Sequence, residues 1–425
     1  MEWALIVGGL FLWAVLSSGG RNWLAPWNCY VIAQVILLGV AYLKLDPLME
    51  DFSLETWIAV ILSGASFFCG CLMAVGAFGK IRAASARNSE FDEAYLHLIR
   101  MSLLPVFIVF VIGTILSYRS AGGWPVRMID PEEARRKFAW PGFGPVMCFQ
   151  LIYVLALSGM AVWKIETRRA WRIIGAIAVA VPVGVGALSG MRFYSFLIIA
   201  TLILFWDIYK PISLFKLVGA GIGIVGILVA IFLIRIGMFN SDTLRLALRY
   251  PEYAKSVCLP FYQYIANNFW NLDWLFRLHD RTHGTISTLG FQSFQGFVYP
   301  THMTFPINDA YNLESRFTSV LKFKALNTTA YQGALFIDFG WTGLLVLPLI
   351  LGYFSSLAFM KGRSTFGIFD ALLYSVLGFS VVFSFFTWIP QQPSWAFGII
   401  YLLILGLLAR HQVSGARSLL SQDKA

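Results

Sequence analysis

The sequence predicts an all-α polytopic membrane protein, and three observations carry that prediction. Of its 425 residues, 58% are hydrophobic and only 13% are charged, far from the balance of a soluble domain. The apolar residues gather in runs long enough for a hydrocarbon core about 30 Å thick, which takes about 20 residues of helix to cross. Lysine and arginine collect in alternate loops between those runs, as the positive-inside bias requires. No soluble domain and no internal repeat is legible, so 1–425 reads as one membrane domain.

Taken in order, spans are expected at about 3–17, 26–43, 57–78, 101–117, 145–163, 173–188, 193–209, 217–235, 334–359, 369–388 and 396–409, or about 11 in all. Met1-Glu2-Trp3 has no basic segment and no small-residue cleavage site follows, so a removable signal is not expected. Lys80, Arg82, Arg87 and Arg100 crowd one loop, and Lys164, Arg168, Arg169 and Arg172 crowd another. Lys210 with Lys216, Lys361 with Arg363, and Arg410 with Arg417 mark further turns on the same side. That side is expected to be cytoplasmic and to hold the C-terminus, which leaves the N-terminus outside. The loop from Lys44 to Glu55, with four acids against one lysine, also falls outside. The basic net charge of +10 is thus a matter of topology, and no nucleic-acid signature accompanies it. Cys29, Cys69, Cys71 and Cys148 lie in spans and Cys258 stands alone outside, which implies no disulfide framework and no zinc site.

Two spans carry backbone signals. Gly219, Gly221, Gly223 and Gly226 give the eighth span a small-residue face suited to close helix packing. Pro182 and the glycines up to Gly190 are expected to loosen the outer end of the sixth, and irregular backbone at that depth survives only where it lines a cavity or is buried. Two segments are too polar to span. The smaller is the external loop 118–144, in which Asp130-Pro131-Glu132-Glu133 reads as a helix start, with Asp at the N-cap and Pro at the first helical position. The larger is 236–332, with helix-like stretches such as Ser241 to Lys255 and 19 aromatic residues. Those rings suit bilayer anchoring or a core. They also suit a groove for sugars, and composition does not separate the readings.

Candidate chemistry gathers at the external ends of helices. Arg192 follows Ser189-Gly190-Met191 between two spans, and Arg235 ends the next one. Each either snorkels to headgroups or faces an anion; the guanidinium fork pairs bidentately with phosphate oxygens. Arg135 and Arg136 also sit outside, against the charge bias, and Arg245 and Arg249 lie four apart on one helix face. Acids and bases in the large loop are Glu252, Asp273, His279, Asp280, His283 and His302, with Asp338 just inside the ninth span. His279 and His283 lack the glutamate of a zinc helix. No phosphate loop, dinucleotide fingerprint or Asp-x-Asp pair is present, so no cofactor or metal is expected.

With these residues in view, the chain resembles the Wzy-type oligosaccharide repeat-unit polymerases of O-antigen and exopolysaccharide synthesis. An ordered set of weak motifs over most of the length carries the resemblance. Gly122-Gly123 with Arg135 follows the fourth span, Gly190-Met191-Arg192 joins two spans, and Arg235-Ile236-Gly237 leaves the next. Asn327-Thr328-Thr329-Ala330-Tyr331 then leads into Asp338-Phe339-Gly340-Trp341-Thr342-Gly343.

The resemblance implies a bacterial inner-membrane enzyme with a periplasmic active site in loop 236–332. It would join undecaprenyl-diphosphate-linked oligosaccharides without a metal, beside a flippase and a chain-length regulator and amid membrane lipids. Arg192 and Arg235 would hold the diphosphate, with Glu252, His279, Asp280 or Asp338 as the proton acceptor. Arg135, Arg245, Arg249, Asn327, Thr328, Tyr331 and Asp338 would line the substrate. The O-antigen ligases share the last layout but carry a His-Asn where this chain has Asn327-Thr328-Thr329. A lipid-linked sugar transporter, expected to show paired repeats and midplane charges, and another lipid-linked transferase are the remaining readings.

Overall fold

The structure is a computed structural model. It describes residues 2–18, 22–45, 50–82, 89–125, 128, 133–134, 137–138, 143–219, 221, 223, 226, 251–281, 290–298 and 328–422. The described residues are helical and contain no strand. Among the described residues, six helices are long and apolar enough to cross a membrane: Leu54–Gly79, Ser89–Ala121, Gly144–Ile165, Arg169–Leu188, Tyr331–Thr365 and Pro393–Gly415. Glu2–Ser17, Pro26–Ala41, Phe193–Tyr209 and Ile368–Val382 are shorter apolar helices. This is an all-α membrane protein. The expected span at 217–235 lies largely outside the described residues.

The chain packs as two compact units. The first comprises Met1–Val75, Pro211–Ser356 and Ser380–Gln391, and the second Gly76–Lys210, Leu357–Phe379 and Gln392–Ala425. Close glycine contacts, the usual device for helix association in lipid, hold each together. In the first, a Cβ on Gly70 would collide with the backbone at Leu349, and one on Gly352 with the backbone at Phe67. In the second, a Cβ on Gly159 would stand 2.7 Å from the Gly175 carbonyl, and one on Gly113 2.6 Å from Cys148 Cβ. Hydroxyls add directional links there. Tyr401 bonds both Ser102 and Ser158 at 2.7 Å, and Tyr153 bonds Thr201 at 2.9 Å.

The eighth span and its glycine face lie largely outside the described residues, and a Cβ on Gly219, Gly221, Gly223 or Gly226 would meet nothing within 4 Å. One expectation is corrected. The outer end of the sixth span is regular: helix Arg169–Leu188 runs straight through Pro182. Beside it, Ser195 Oγ donates to the Val183 carbonyl at 2.9 Å. The irregularity is confined to the turn 189–191, where Gly190 has φ 70°. Its N–H closes the helix on the Ala187 carbonyl at 3.1 Å.

Candidate functional site

The first unit concentrates the predicted site residues on two elements, a loop helix and the helix that re-enters the apolar region. The loop helix, α1, is Pro251–Arg281. Its middle, residues 266–273, is buried all round and unusually polar for a buried stretch, with Asn267, Asn268, Asn271 and Asp273 all enclosed. The re-entering helix, α2, is Tyr331–Thr365, and it is interrupted by Gly340 at φ 60°, ψ −147°. Residues 329–338 ahead of that break are buried, so they form a short helix enclosed by protein before the chain turns into its lipid-length section.

The segment 328–331 is gripped from both sides through its backbone. On one side α1 supplies three bonds. Ala330 N–H donates to the Asn268 carbonyl at 3.1 Å. Asn271 Nδ2 donates to the Thr328 carbonyl at 2.8 Å, and Thr328 Oγ1 donates to Asn268 Oδ1 at 2.6 Å. On the other side Tyr331 N–H donates to the Ser384 carbonyl at 2.9 Å. At the start of α2 the Tyr331 amide is thus satisfied by a tertiary partner, while Gly333 N–H donates locally to the Ala330 carbonyl at 2.8 Å.

Below this grip lies a neutral polar node. The helix formed by Pro26–Ala41 widens to a π-helical stretch at Val31–Ile36, a distortion often found at functional positions. It carries the buried Gln34, whose Nε2 donates to Ser384 Oγ at 2.9 Å. Gln332 Nε2 donates to Gln34 Oε1 at 2.8 Å and to Ser63 Oγ at 3.2 Å. The Tyr30 and Tyr331 hydroxyls meet at 3.1 Å, and Tyr331 stacks on Trp388 at 6.2 Å. Buried amides are costly in an apolar region unless paired; here they bind the re-entering helix to two others.

Two buried carboxylates act as helix caps across the tertiary structure. Asp273 Oδ1 accepts Ser53 N–H at 2.6 Å and Thr56 Oγ1–H at 2.8 Å, at the N-terminus of helix Leu54–Arg82. Its Oδ2 pairs with Arg277 Nε at 2.6 Å. Asp338 accepts Gly290 N–H at 3.0 Å and Ser293 N–H at 2.6 Å, at the start of α3, Phe291–Val298. The Trp388 indole N–H then donates to the Ser293 carbonyl at 3.1 Å. A carboxylate at a helix N-terminus satisfies orphan amides and complements the macrodipole. Asp273, a candidate proton acceptor in the sequence, is therefore fully committed to structure.

The acidic loop is tied to the same helix. Arg277 reaches Glu50 at 3.5 Å and donates to the Asp51 carbonyl. Asp51 itself accepts from Lys44 and, at 2.5 Å, from the Tyr42 hydroxyl. The Lys44 bond, followed by that of Tyr42, holds the Asp51 carboxyl below its usual range.

Of the sequence candidates, Thr328, Tyr331 and Asp338 come together on this one run. Glu252 opens α1, and His279 and Asp280 lie in its last turn. At about 1.5 Å per residue, Glu252 and Asp280 stand about 42 Å apart along the axis. They are alternatives and cannot serve one centre together. Arg192 belongs to the second unit, where it is the first residue of helix Arg192–Tyr209 immediately after the Gly190 turn. Arg135, Arg235, Arg245, Arg249 and Asn327 lie outside the described residues.

Sequence reasoning missed Asn268, Asn271, Arg277, Gln34 and Gln332. The signal was present: Asn267, Asn268 and Asn271 share a face at helical spacing, and Gln34 and Gln332 interrupt apolar runs. No family model, curated protein or solved structure matches this chain.

Proposed function

We propose that this chain polymerises lipid-diphosphate-linked oligosaccharide repeat units at the periplasmic face of a bacterial inner membrane, with about 11 spans and the loop 236–332 outside. The observation that carries the reading is the enclosed re-entering segment 328–338, gripped by α1 and broken at Gly340. Such a segment suits a rigid wall against which a polar, ring-bearing substrate can be oriented next to the bilayer. The motif positions support the same reading, because several sit at helix ends. Gly122 and Gly123 close helix Ser89–Ala121, with Gly122 at φ 77° and Gly123 N–H on the Tyr118 carbonyl at 3.1 Å. Gly190 brings Arg192 to the start of its helix.

In this mechanism, Arg192 and Arg235 each contribute charge to the departing lipid diphosphate, as fixed electrostatics aimed at the leaving group. A loop carboxylate or histidine, from Glu252, His279 and Asp280, takes the acceptor hydroxyl proton. Asp273 and Asp338 do not, because their oxygens already accept helix amides.

The test is reconstitution. Purified protein in liposomes, given only lipid-linked repeat units of its own strain and no nucleotide sugar, should build a ladder of longer lipid-linked glycans. The ladder should persist with a chelator. A deletion strain should still transfer single units to the final acceptor. No ladder, together with loss of the single-unit form in that strain, would move the assignment to a ligase or flippase. A ladder abolished by chelator would keep the function and remove the metal-free mechanism.

A further inference from the structure

The grip on segment 328–331 has a chemical consequence for Thr328. The Asn268 side chain is oriented by its own helix, since its Nδ2 donates to the Ile265 carbonyl at 3.4 Å. That bond turns Oδ1 toward Thr328 and makes it an acceptor only. At 2.6 Å the Thr328 hydroxyl must therefore give its single proton to Asn268. What it can offer any ligand is then a lone pair. Thr328 is half-buried, whereas Thr329 and Ala330 beside it are enclosed, so Thr328 is the residue of the grip that retains access. Asn271 fixes the backbone of the same residue through its carbonyl.

We infer that Asn268 is a positioning residue that sets Thr328 as a hydrogen-bond acceptor for a sugar hydroxyl of the lipid-linked oligosaccharide. The inference rests on the polymerase reading above. Removing the Asn268 side chain leaves the Ala330 N–H bond in place, because that bond uses the Asn268 backbone carbonyl. The segment should thus remain seated while the hydroxyl proton is released. A carboxylate at 268 preserves the acceptor toward Thr328 but loses the Nδ2 donor to the Ile265 carbonyl, so it should preserve the function only in part.

The experiment measures initial ladder formation in liposomes against the concentration of lipid-linked repeat units. Asn268→Ala should raise KM about tenfold, the scale of one hydrogen bond worth about 1.4 kcal/mol, with kcat within about twofold. Asn268→Asp should return KM to within about threefold of the unaltered protein. Thr328→Val should raise KM like Asn268→Ala, and the double variant should be no worse than Thr328→Val alone, because both remove one interaction. A ladder unaffected by Asn268→Ala, effects that add in the double variant, or a fall in kcat with KM unchanged would overturn the positioning role and leave the polymerase reading intact. Absence of a ladder from the unaltered protein would overturn both.

Discussion

Single side chains in this protein are held by committed protons and charges, and their substitutions should report that. Asp273→Ala strands the Ser53 amide and removes one partner each from the Thr56 hydroxyl and the Arg277 guanidinium. It should cost about 2 kcal/mol, read as a lower unfolding temperature in detergent. Arg277→Ala should cost less, because Arg277 is about a third exposed and water can replace it. Asp51 gives a pH signature. Its folded value is depressed, so its contribution is complete above the ordinary value of 3.8 and is lost as pH falls through the lower folded value. Protection of the amides near residues 50–53, taken relative to intrinsic exchange, should accordingly be constant near neutral pH and fall only below the ordinary carboxylate range. For Arg192, charge and shape are separable. Arg192→Ala should stop polymer growth at normal protein level, and Arg192→Lys should recover only part of it, because the planar fork is gone. Full activity in both would mean that the arginine merely snorkels.

At the scale of elements, the decisive feature is the break in α2. Gly340 at φ 60°, ψ −147° occupies a region that only glycine adopts without strain, and a Cβ there would touch nothing within 4 Å. Gly340→Ala should therefore cost about 1–3 kcal/mol through the backbone alone, and straightening α2 would relieve it. Straightening would swing Asp338 away from the start of α3. Faster hydrogen exchange at Gly290 and Ser293 in Gly340→Ala, with insertion unchanged, is the expected readout. Asp338→Asn should give a weaker version, because one amide oxygen remains to accept while the charge opposite the helix dipole is lost.

For the whole molecule, the contacts inside each unit join segments that the charge bias assigns to one side. In the first unit, Asp273 joins α1 to the loop at Ser53, and Asp338 joins α2 to the start of α3. In the second, Arg100 pairs with Glu166, Arg363 with Asp207 at 2.6 Å, and Asp92 accepts Ile368 N–H at 3.2 Å. These join ends that the sequence assigns to the cytoplasm. Cys258, in α1, tests the assignment directly. A membrane-impermeant maleimide admitted through the outer membrane should label the native protein, and Cys258→Ser should abolish labelling. Labelling confined to inside-out vesicles would reverse the orientation.

The sequence by itself determined the class of the protein. Runs of apolar residues and the cost of unpaired backbone in lipid leave helices as the available answer for a chain of this composition. It also marked Gly190 as punctuation, because glycine signals positive φ locally, whereas the break at Gly340 emerged only in the structure. The roles of the acids were decided only by tertiary structure. Asp273 and Asp338 look alike to any sequence reading that seeks a base, yet each is spent on the N-terminus of another helix, a partner more than 40 residues away in the chain. The same holds for Asn268 and Gln332. A polar side chain in an apolar context announces that it must be paired, but the partner is chosen by which helices pack together, and that choice is made by packing across the whole unit rather than by neighbours in sequence.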